Sequence, residues 1–263
     1  MTSVKDKIIW ITGASSGIGE ELAYRLAEKG ATLIISARRK DKLTEIKETC
    51  VNQYQANVIA YPLDVSRPDD IKRAVDHLFS KLGRIDVLIN NAGYGHTGYF
   101  LDYDLSQVEQ MFKVNVFGMM HLSQLVGSKM AKRRTGHIIN VGSIAGKIAT
   151  PNSSVYASSK HAVLGFSNAL RLELHDFNVG VTTINPGPVE TPFFDSFDPD
   201  GNYVKRIKPL VLPVEKVAKK TIQIIGTNKR EVNMPLMLSM AHRLHTLFPN
   251  TSDVLTRTVF NLK

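Results

Sequence analysis

Tyr156 and Lys160 stand four residues apart in a stretch, 153–175, whose apolar spacing predicts a helix, so both side chains project from one face. A free tyrosine titrates at a pKa of about 10, too high for a base near neutrality. A lysine ammonium a few ångströms away favours the phenolate and lowers that value, each unit being worth about 1.4 kcal/mol. Ser143 lies thirteen residues before Tyr156, just beyond the predicted strand 137–141, and its hydroxyl can hold a substrate oxygen beside the tyrosine. Such a trio moves a proton on and off a carbonyl or alcohol oxygen. Taken singly, each residue has an ordinary explanation: a satisfied helix tyrosine, a surface lysine, a turn serine. Asn115, on a helix predicted through 114–130, can bind a water that links Lys160 to solvent.

A redox partner for that proton is implied near the start of the chain. Thr12-Gly13-Ala14-Ser15-Ser16-Gly17-Ile18-Gly19 separates an apolar run, Ile8 to Ile11, from a helical pattern. Gly13 permits a sharp turn, while Gly17 and Gly19 let the backbone approach a pyrophosphate and let helix and strand pack closely. The helix N-terminus, with free N–H groups and a partial positive charge, then faces the anion. The next strand ends at Ser36-Ala37-Arg38-Arg39, with Ala37 where an acid would grip an adenine ribose hydroxyl. Two arginines follow, and a guanidinium fork suits a phosphate, so the spacing favours NADP(H) over NAD. Solvated loop charges are the plain alternative. Asp64 and Val65 follow the third strand, placed to meet the adenine edge. Asn91, Ala92 and Gly93 follow the fourth, Asn91 bracing the sheet and the small residues leaving room for the cofactor.

The elements that must position these groups alternate. Apolar runs at 8–11, 31–36, 58–63, 86–90, 137–141 and 179–185 read as strands, and helical patterns at 17–29, 42–55, 68–82, 114–130 and 153–175 separate them. Continuous apolar strands linked by helices build a parallel sheet covered on both faces. The fold class expected is therefore α/β, a single-domain doubly wound parallel sheet. Residues 1–185 form the cofactor-binding core with the catalytic residues, and 186–263 a substrate lid and C-terminal helical segment. After Asn185, Pro186, Pro188, Pro192, Pro199, Pro209 and Pro213 break the rhythm. A long irregular stretch beyond a strand end reads as a lid, or else as a passive excursion. Residues 234–248 read as an amphipathic helix that covers the substrate pocket, forms a dimer seam, or rests on anionic lipid.

Of the formal net charge of +9, nearly all arises from Lys205 onward. Scattered solubilising lysines explain a basic end, as do an anionic substrate or a membrane surface. Nucleic acid is excluded as a partner, because the basic stretch lacks interleaved base-stacking aromatics. The single cysteine, Cys50, cannot form an internal disulfide. With no signal-peptide pattern and no apolar stretch approaching a membrane span, the expectation is a soluble, cytoplasmic protein. Substrate choice is assigned to 95–100, 144–151 and 193–212, with His96 either orienting a polar group or serving as a plain loop histidine. His242 and His245 lack a third ligand for a metal, so no metal site is expected.

These motifs together resemble the short-chain dehydrogenase/reductase superfamily in its common form. The matching residues are Thr12 to Gly19, Asp64, Asn90 to Gly93, Asn115, Ser143, Tyr156, Lys160 and Pro186-Gly187 with Thr191, spanning some seven-tenths of the chain. The resemblance implies a Rossmann-type strand order 3-2-1-4-5-6-7 and a catalytic tetrad of Asn115, Ser143, Tyr156 and Lys160. It implies that Ile184, Pro186, Gly187, Val189 and Thr191 lie near the nicotinamide. It also implies a small-molecule carbonyl or alcohol substrate, and pairing into homodimers or homotetramers through the two long helices. Ala37-Arg38-Arg39 and the basic C-terminus look most like the 11β-hydroxysteroid-dehydrogenase-like branch and its bacterial relatives. A cofactor-binding regulator without turnover is the alternative function; it has no need of Ser143, Tyr156 and Lys160 together.

Overall fold

The computed structural model describes residues 3–197 and 208–260. The middle of the expected lid, with Pro199, Lys205 and Arg206, lies outside the described residues. Seven strands form one sheet: β1 (Ile8–Thr12), β2 (Thr32–Ser36), β3 (Val58–Ala60), β4 (Val87–Asn90), β5 (Gly136–Val141), β6 (Val179–Pro186) and β7 (Glu231–Met234). Their order is β3-β2-β1-β4-β5-β6-β7, and every ladder is parallel. The order implied by the family resemblance is the order found.

Alternation along each strand feeds two cores. Ile9 and Ile11 of β1 pack with Leu33 and Ile35 of β2 on one face, against Leu22 and Leu26 of α1 (Gly17–Glu28), Leu43 and Ile46 of α2 (Lys40–Tyr54), and Val217 and Ala218 of a helix at Val214–Gln223. Trp10 and Ile34 point the other way, to Ile71 and Leu78 of α3 (Pro68–Leu82) and Leu122 and Val126 of α5 (Met119–Arg133). Both faces are dry, so β1 and β4 read as unbroken apolar runs. At 25 cal/mol per Å² of apolar surface, each such buried side chain contributes roughly 1.5–3 kcal/mol.

The structure differs locally from the sequence reading at four places. The third strand stops at Ala60, three residues early. The helix read as 114–130 starts at Leu105 as α4 (Leu105–Phe112), and a π-helical turn at Lys113–Gly118 joins it to α5. β7 was not marked by an apolar run because it is an edge strand, with Glu231 and Asn233 half-exposed and only Val232 and Met234 buried. The helix read as 234–248 spans Leu236–Leu247, and Pro249 just beyond it opens a second at Pro249–Phe260, where a proline's missing N–H costs nothing. Among the described residues no helix is long and apolar enough to cross a membrane.

Candidate active site

A cavity of about 690 Å³ runs across the carboxyl ends of the strands. Its wall carries Gly13, Ser15, Ser16, Gly17, Ile18, Arg38, Arg39, Asp64, Val65, Asn91, Ala92 and Gly93 from one half of the sheet. From the other half come Ser143, Tyr156, Lys160, Pro186, Gly187, Val189 and Thr191. Three residues expected at the cofactor or in the tetrad, Gly19, Asn115 and Ile184, are not on this wall; Ile184 is fully buried in the core.

The turn after β1 is over-determined. Gly13 sits at φ +64, and a Cβ there would stand 2.7 Å from the Ala92 Cα. Gly19 faces inward, where a Cβ would collide with the Gly13 carbonyl oxygen, so its role is to let α1 close on the strand. Gly17, at φ +58, abuts Thr191. The Asn91 amide donates to the Thr12 carbonyl at 3.0 Å and the Gly13 carbonyl at 3.1 Å, which ties β4 to the turn as the bracing role required. The Thr12 hydroxyl accepts from the backbone N–H of Asn91 and of Ala92 at 3.1 Å each. Asp64 accepts from the Ser66 N–H at 2.9 Å and holds its own turn. Arg39 folds back to donate to the Ser15 carbonyl at 3.1 Å, steadying the glycine turn. Arg38 borders the cavity and lies near enough to Tyr94 to act on its hydroxyl electrostatically.

At the reacting end, β5 delivers Val141, Gly142 and Ser143, while α6 (Ser154–His175) delivers Tyr156 and Lys160 from its first two turns. Ser143 is extended, accepts from the Ala145 N–H at 3.0 Å, and places its oxygen 3.5 Å from the Pro186 carbonyl. Lys160 is buried and donates to the Val141 carbonyl at 2.9 Å; its ammonium lies 5.8 Å from the centre of the Tyr156 ring. Burial pulls the Lys160 pKa down to about 8. A cation there is costly to hold, and a phenolate beside it would offset that cost.

Asn115 stands on the long helix after β4, in the π-helical turn that opens α5. There its oxygen accepts from the Tyr94 N–H at 3.0 Å and its amide donates to the Tyr94 carbonyl at 2.9 Å and to Ser159 at 3.1 Å. The side chain clamps the 93–95 loop to α6, and only a second lone pair on Oδ1 remains for the water expected of it.

Around Tyr156 the cavity is walled by aromatic rings. Phe193 and Phe197, in a short helix at Phe193–Phe197, lie 5.7 and 5.4 Å from the Tyr156 ring, centre to centre. The Thr97 hydroxyl donates to the Phe197 carbonyl at 2.7 Å. Gly95 makes room for this cluster: a Cβ there would stand 2.7 Å from Phe197, 2.9 Å from Phe193 and 2.9 Å from Tyr156. Ile144, Ile148 and Thr150 of the expected substrate region also reach the wall, whereas His96 packs edge-on against Tyr103 outside this cavity. The helix at Leu236–Leu247 adds Leu238, Ala241, Leu244 and His245, in keeping with the pocket-covering reading of that segment. Ser252 and Thr256 of the next helix were not anticipated. Their only sequence signal was a four-residue spacing in a segment read as lying past the helix end.

The arrangement fits a dinucleotide: a glycine turn at a helix start, an arginine at one end, and a serine–tyrosine–lysine group at the other. Comparison with known proteins agrees. Residues 7–202 match the family model for short chain dehydrogenase. The chain is 38% identical over 190 residues to human dehydrogenase/reductase SDR family member 7, covering 71% of this chain and 56% of that protein. It is 40% identical over 188 residues to 11-beta-hydroxysteroid dehydrogenase-like 4A of Arabidopsis thaliana, covering 71% and 62%. The chain thus spans little more than half the length of these relatives. Among solved structures, a short chain dehydrogenase/reductase from Burkholderia phymatum in complex with NAD superposes with a TM-score of 0.86 at 25% identity, covering 94% of this chain and 95% of that one. A short-chain dehydrogenase from Sphingobium yanoikuyae in complex with NADPH gives 0.80 at 27%, covering 95% of each. On the glycine turn, the strand order, the site and these matches, the chain belongs to the short-chain dehydrogenase family of oxidoreductases.

Proposed function

We propose that this protein is an NADP(H)-dependent oxidoreductase that interconverts a carbonyl and a secondary alcohol on a small, largely apolar molecule. The observation that carries the reading is that Ser143, Tyr156 and Lys160 share one cavity wall with the glycine turn and Arg38. The cofactor supplies or accepts the hydride. Gly13, Ser15, Ser16, Gly17 and Ile18 would hold its pyrophosphate, with Gly19 behind them, and Asp64, Val65, Asn91, Ala92 and Gly93 its adenosine side. Pro186, Gly187, Val189 and Thr191 would meet the nicotinamide. Arg38 would take the ribose phosphate, with Arg39 beside it on the wall steadying the turn through Ser15.

In the reducing direction the Ser143 hydroxyl donates to the substrate oxygen and fixes it beside Tyr156. As negative charge grows on that oxygen, the Tyr156 hydroxyl passes it a proton and becomes a phenolate. The Lys160 ammonium stabilises this phenolate, and Asn115 keeps the loop opposite in place. Oxidation reverses each transfer. Water is kept from the reacting oxygen by Phe193 and Phe197. NADPH oxidation against a panel of aldehydes and ketones tests the reading: Tyr156→Phe should lower kcat about 10²–10⁴-fold with the fold intact. Unchanged turnover in that variant would sink the mechanism.

A further inference from the structure

Ser143 has to present its hydroxyl accurately, yet it belongs to neither β5 nor α6. It stands on the short segment between them, at the head of a 3₁₀ turn at Ile144–Gly146. Backbone contacts hold the inner side of this segment. The Gly142 N–H donates to the Ile184 carbonyl at 2.8 Å, and a Cβ at Gly146 would stand 2.7 Å from the Lys160 carbonyl oxygen. The outer side is held by a side chain. Lys147, which follows the turn, places its ammonium 3.0 and 3.2 Å from the two carboxylate oxygens of Glu231, 84 residues on in β7.

Glu231 is itself fixed. The Asn233 amide donates to it at 3.1 Å, and the Asn233 oxygen accepts from the Asn185 amide at 2.9 Å. Asn185 precedes Pro186, whose carbonyl lies 3.5 Å from the Ser143 hydroxyl oxygen, and the Gly187 N–H donates to the Met234 carbonyl of β7 at 2.6 Å. These bonds close a frame that runs from Ser143 across to Pro186, along β7 to Glu231, and back through Lys147. Lys42 and Lys113 form ion pairs while about half-exposed, whereas the Lys147 side chain is only 11% exposed. Exposed pairs contribute little; a sequestered one with further hydrogen bonds is costly to break. Burial pushes the Glu231 carboxyl up, but the bonds from Lys147 and Asn233 and the charges of Lys147 and Arg230 outweigh it and hold the carboxyl below its ordinary value. Ser143, Ile144, Ala145 and Ile148 line the cavity and Lys147 does not, so Lys147 reaches the chemistry only through its neighbours.

We propose that Lys147, anchored by Glu231, is a positioning residue for the Ser143 hydroxyl. It braces the serine segment against β7, the strand that leads into the helix at Leu236–Leu247. This deepens, and rests on, the reading of the cavity as a carbonyl-reducing site. Tyr156 and Lys160 ride on α6 and the glycine turn follows β1, so loosening the brace moves Ser143 relative to them and leaves NADPH binding alone. A small displacement of a group that orients the reacting oxygen lowers kcat.

Lys147→Met keeps an apolar stem and removes the charge, and Glu231→Gln keeps the shape of the partner. With NADPH and a ketone that the unmutated protein reduces, each should lower kcat roughly ten- to a hundredfold, with the dissociation constant of NADPH unchanged. Lys147→Arg, which restores the pair, should recover most of kcat. In Ser143→Ala protein, Lys147→Met should lower the residual turnover less than about twofold, because the group it positions is gone. The Ala145 amide, which donates to the Ser143 hydroxyl oxygen at 3.0 Å, gives a readout independent of turnover. Its hydrogen exchange in NADPH-saturated protein, followed by NMR, should speed about tenfold in Lys147→Met. If Lys147→Met does not fold, Glu231→Gln carries every arm. Equal losses of kcat with and without Ser143, a fall in NADPH affinity as large as that in kcat, unchanged kcat, or unchanged Ala145 exchange overturns the brace. If the unmutated protein reduces no ketone, the proposed activity fails, and Ala145 exchange alone decides the brace.

Discussion

The two halves of the cavity are built on different principles. The cofactor half is held by backbone: the turn after β1 is locked by the Asn91 amide, by the Thr12 hydroxyl and by glycines that allow no Cβ. The substrate half is held by side chains that meet across long stretches of sequence, as Gly95 and Tyr156 do with Phe193 and Phe197, or Gly187 with Leu238. A site made from packed backbone admits few substitutions, whereas one made from apolar surfaces can be reshaped one ring at a time. That difference suits an enzyme family with one cofactor chemistry and many substrates.

The largest effect is expected away from both halves, at the amino end of β5. His137 of β5 is buried between the Thr182 hydroxyl, 2.9 Å from Nε2, and the Gly226 N–H, which donates to Nδ1 at 3.0 Å in the loop leading to β7. Burial pulls its pKa down to about 4 from an ordinary 6.5, so the folded protein keeps it neutral where the unfolded chain would protonate it. Its contribution is fully present above pH 6.5 and is lost as the pH falls from 6.5 to about 4, amounting to about 3 kcal/mol. Urea melts from pH 7 to 4 should show this decline in the unmutated protein and a smaller one in His137→Gln. Parallel declines would deny His137 the role.

In the cofactor half, Gly19→Ala should cost about 2–3 kcal/mol, because its Cβ meets the Gly13 carbonyl and Asn91, and should weaken cofactor binding along with stability. A variant as stable as the parent would show that the turn can relax. Arg38→Ala should cost about 2 kcal/mol of NADPH affinity, some thirtyfold, with NADH little changed. Equal weakening of the two would refute the phosphate assignment. The smallest effect belongs to the aromatic wall: Phe197→Leu should shift KM across a ketone panel by about tenfold or less, with binding of NADPH unaltered. A loss of NADPH binding there would show the halves to be one unit.

Much of this architecture was legible in the chain. Six of the strands are marked by apolar runs because both sheet faces are covered, and the glycine turn by its position between the first run and the first helix. β7 escaped because an edge strand alternates polar and apolar residues over only four positions. The Val214–Gln223 helix carries Val214, Val217, Ala218, Thr221 and Ile222 at helical spacing, yet follows a proline-rich stretch that masked its start.

For the site, residue type and order singled out the proposed acid–base group and the glycine turn, since a four-residue helical spacing and a strand–glycine–helix succession are local rules. The clamp by Asn115 on Tyr94, the crowding that requires glycine at position 95, and the arrival of Ser252 and Thr256 at the cavity wall obey no local rule. Each depends on where the sheet edge sends a helix and how closely two loops approach. Local periodicity fixes which side chains share a face; only the packing of separate elements decides which faces share a cavity.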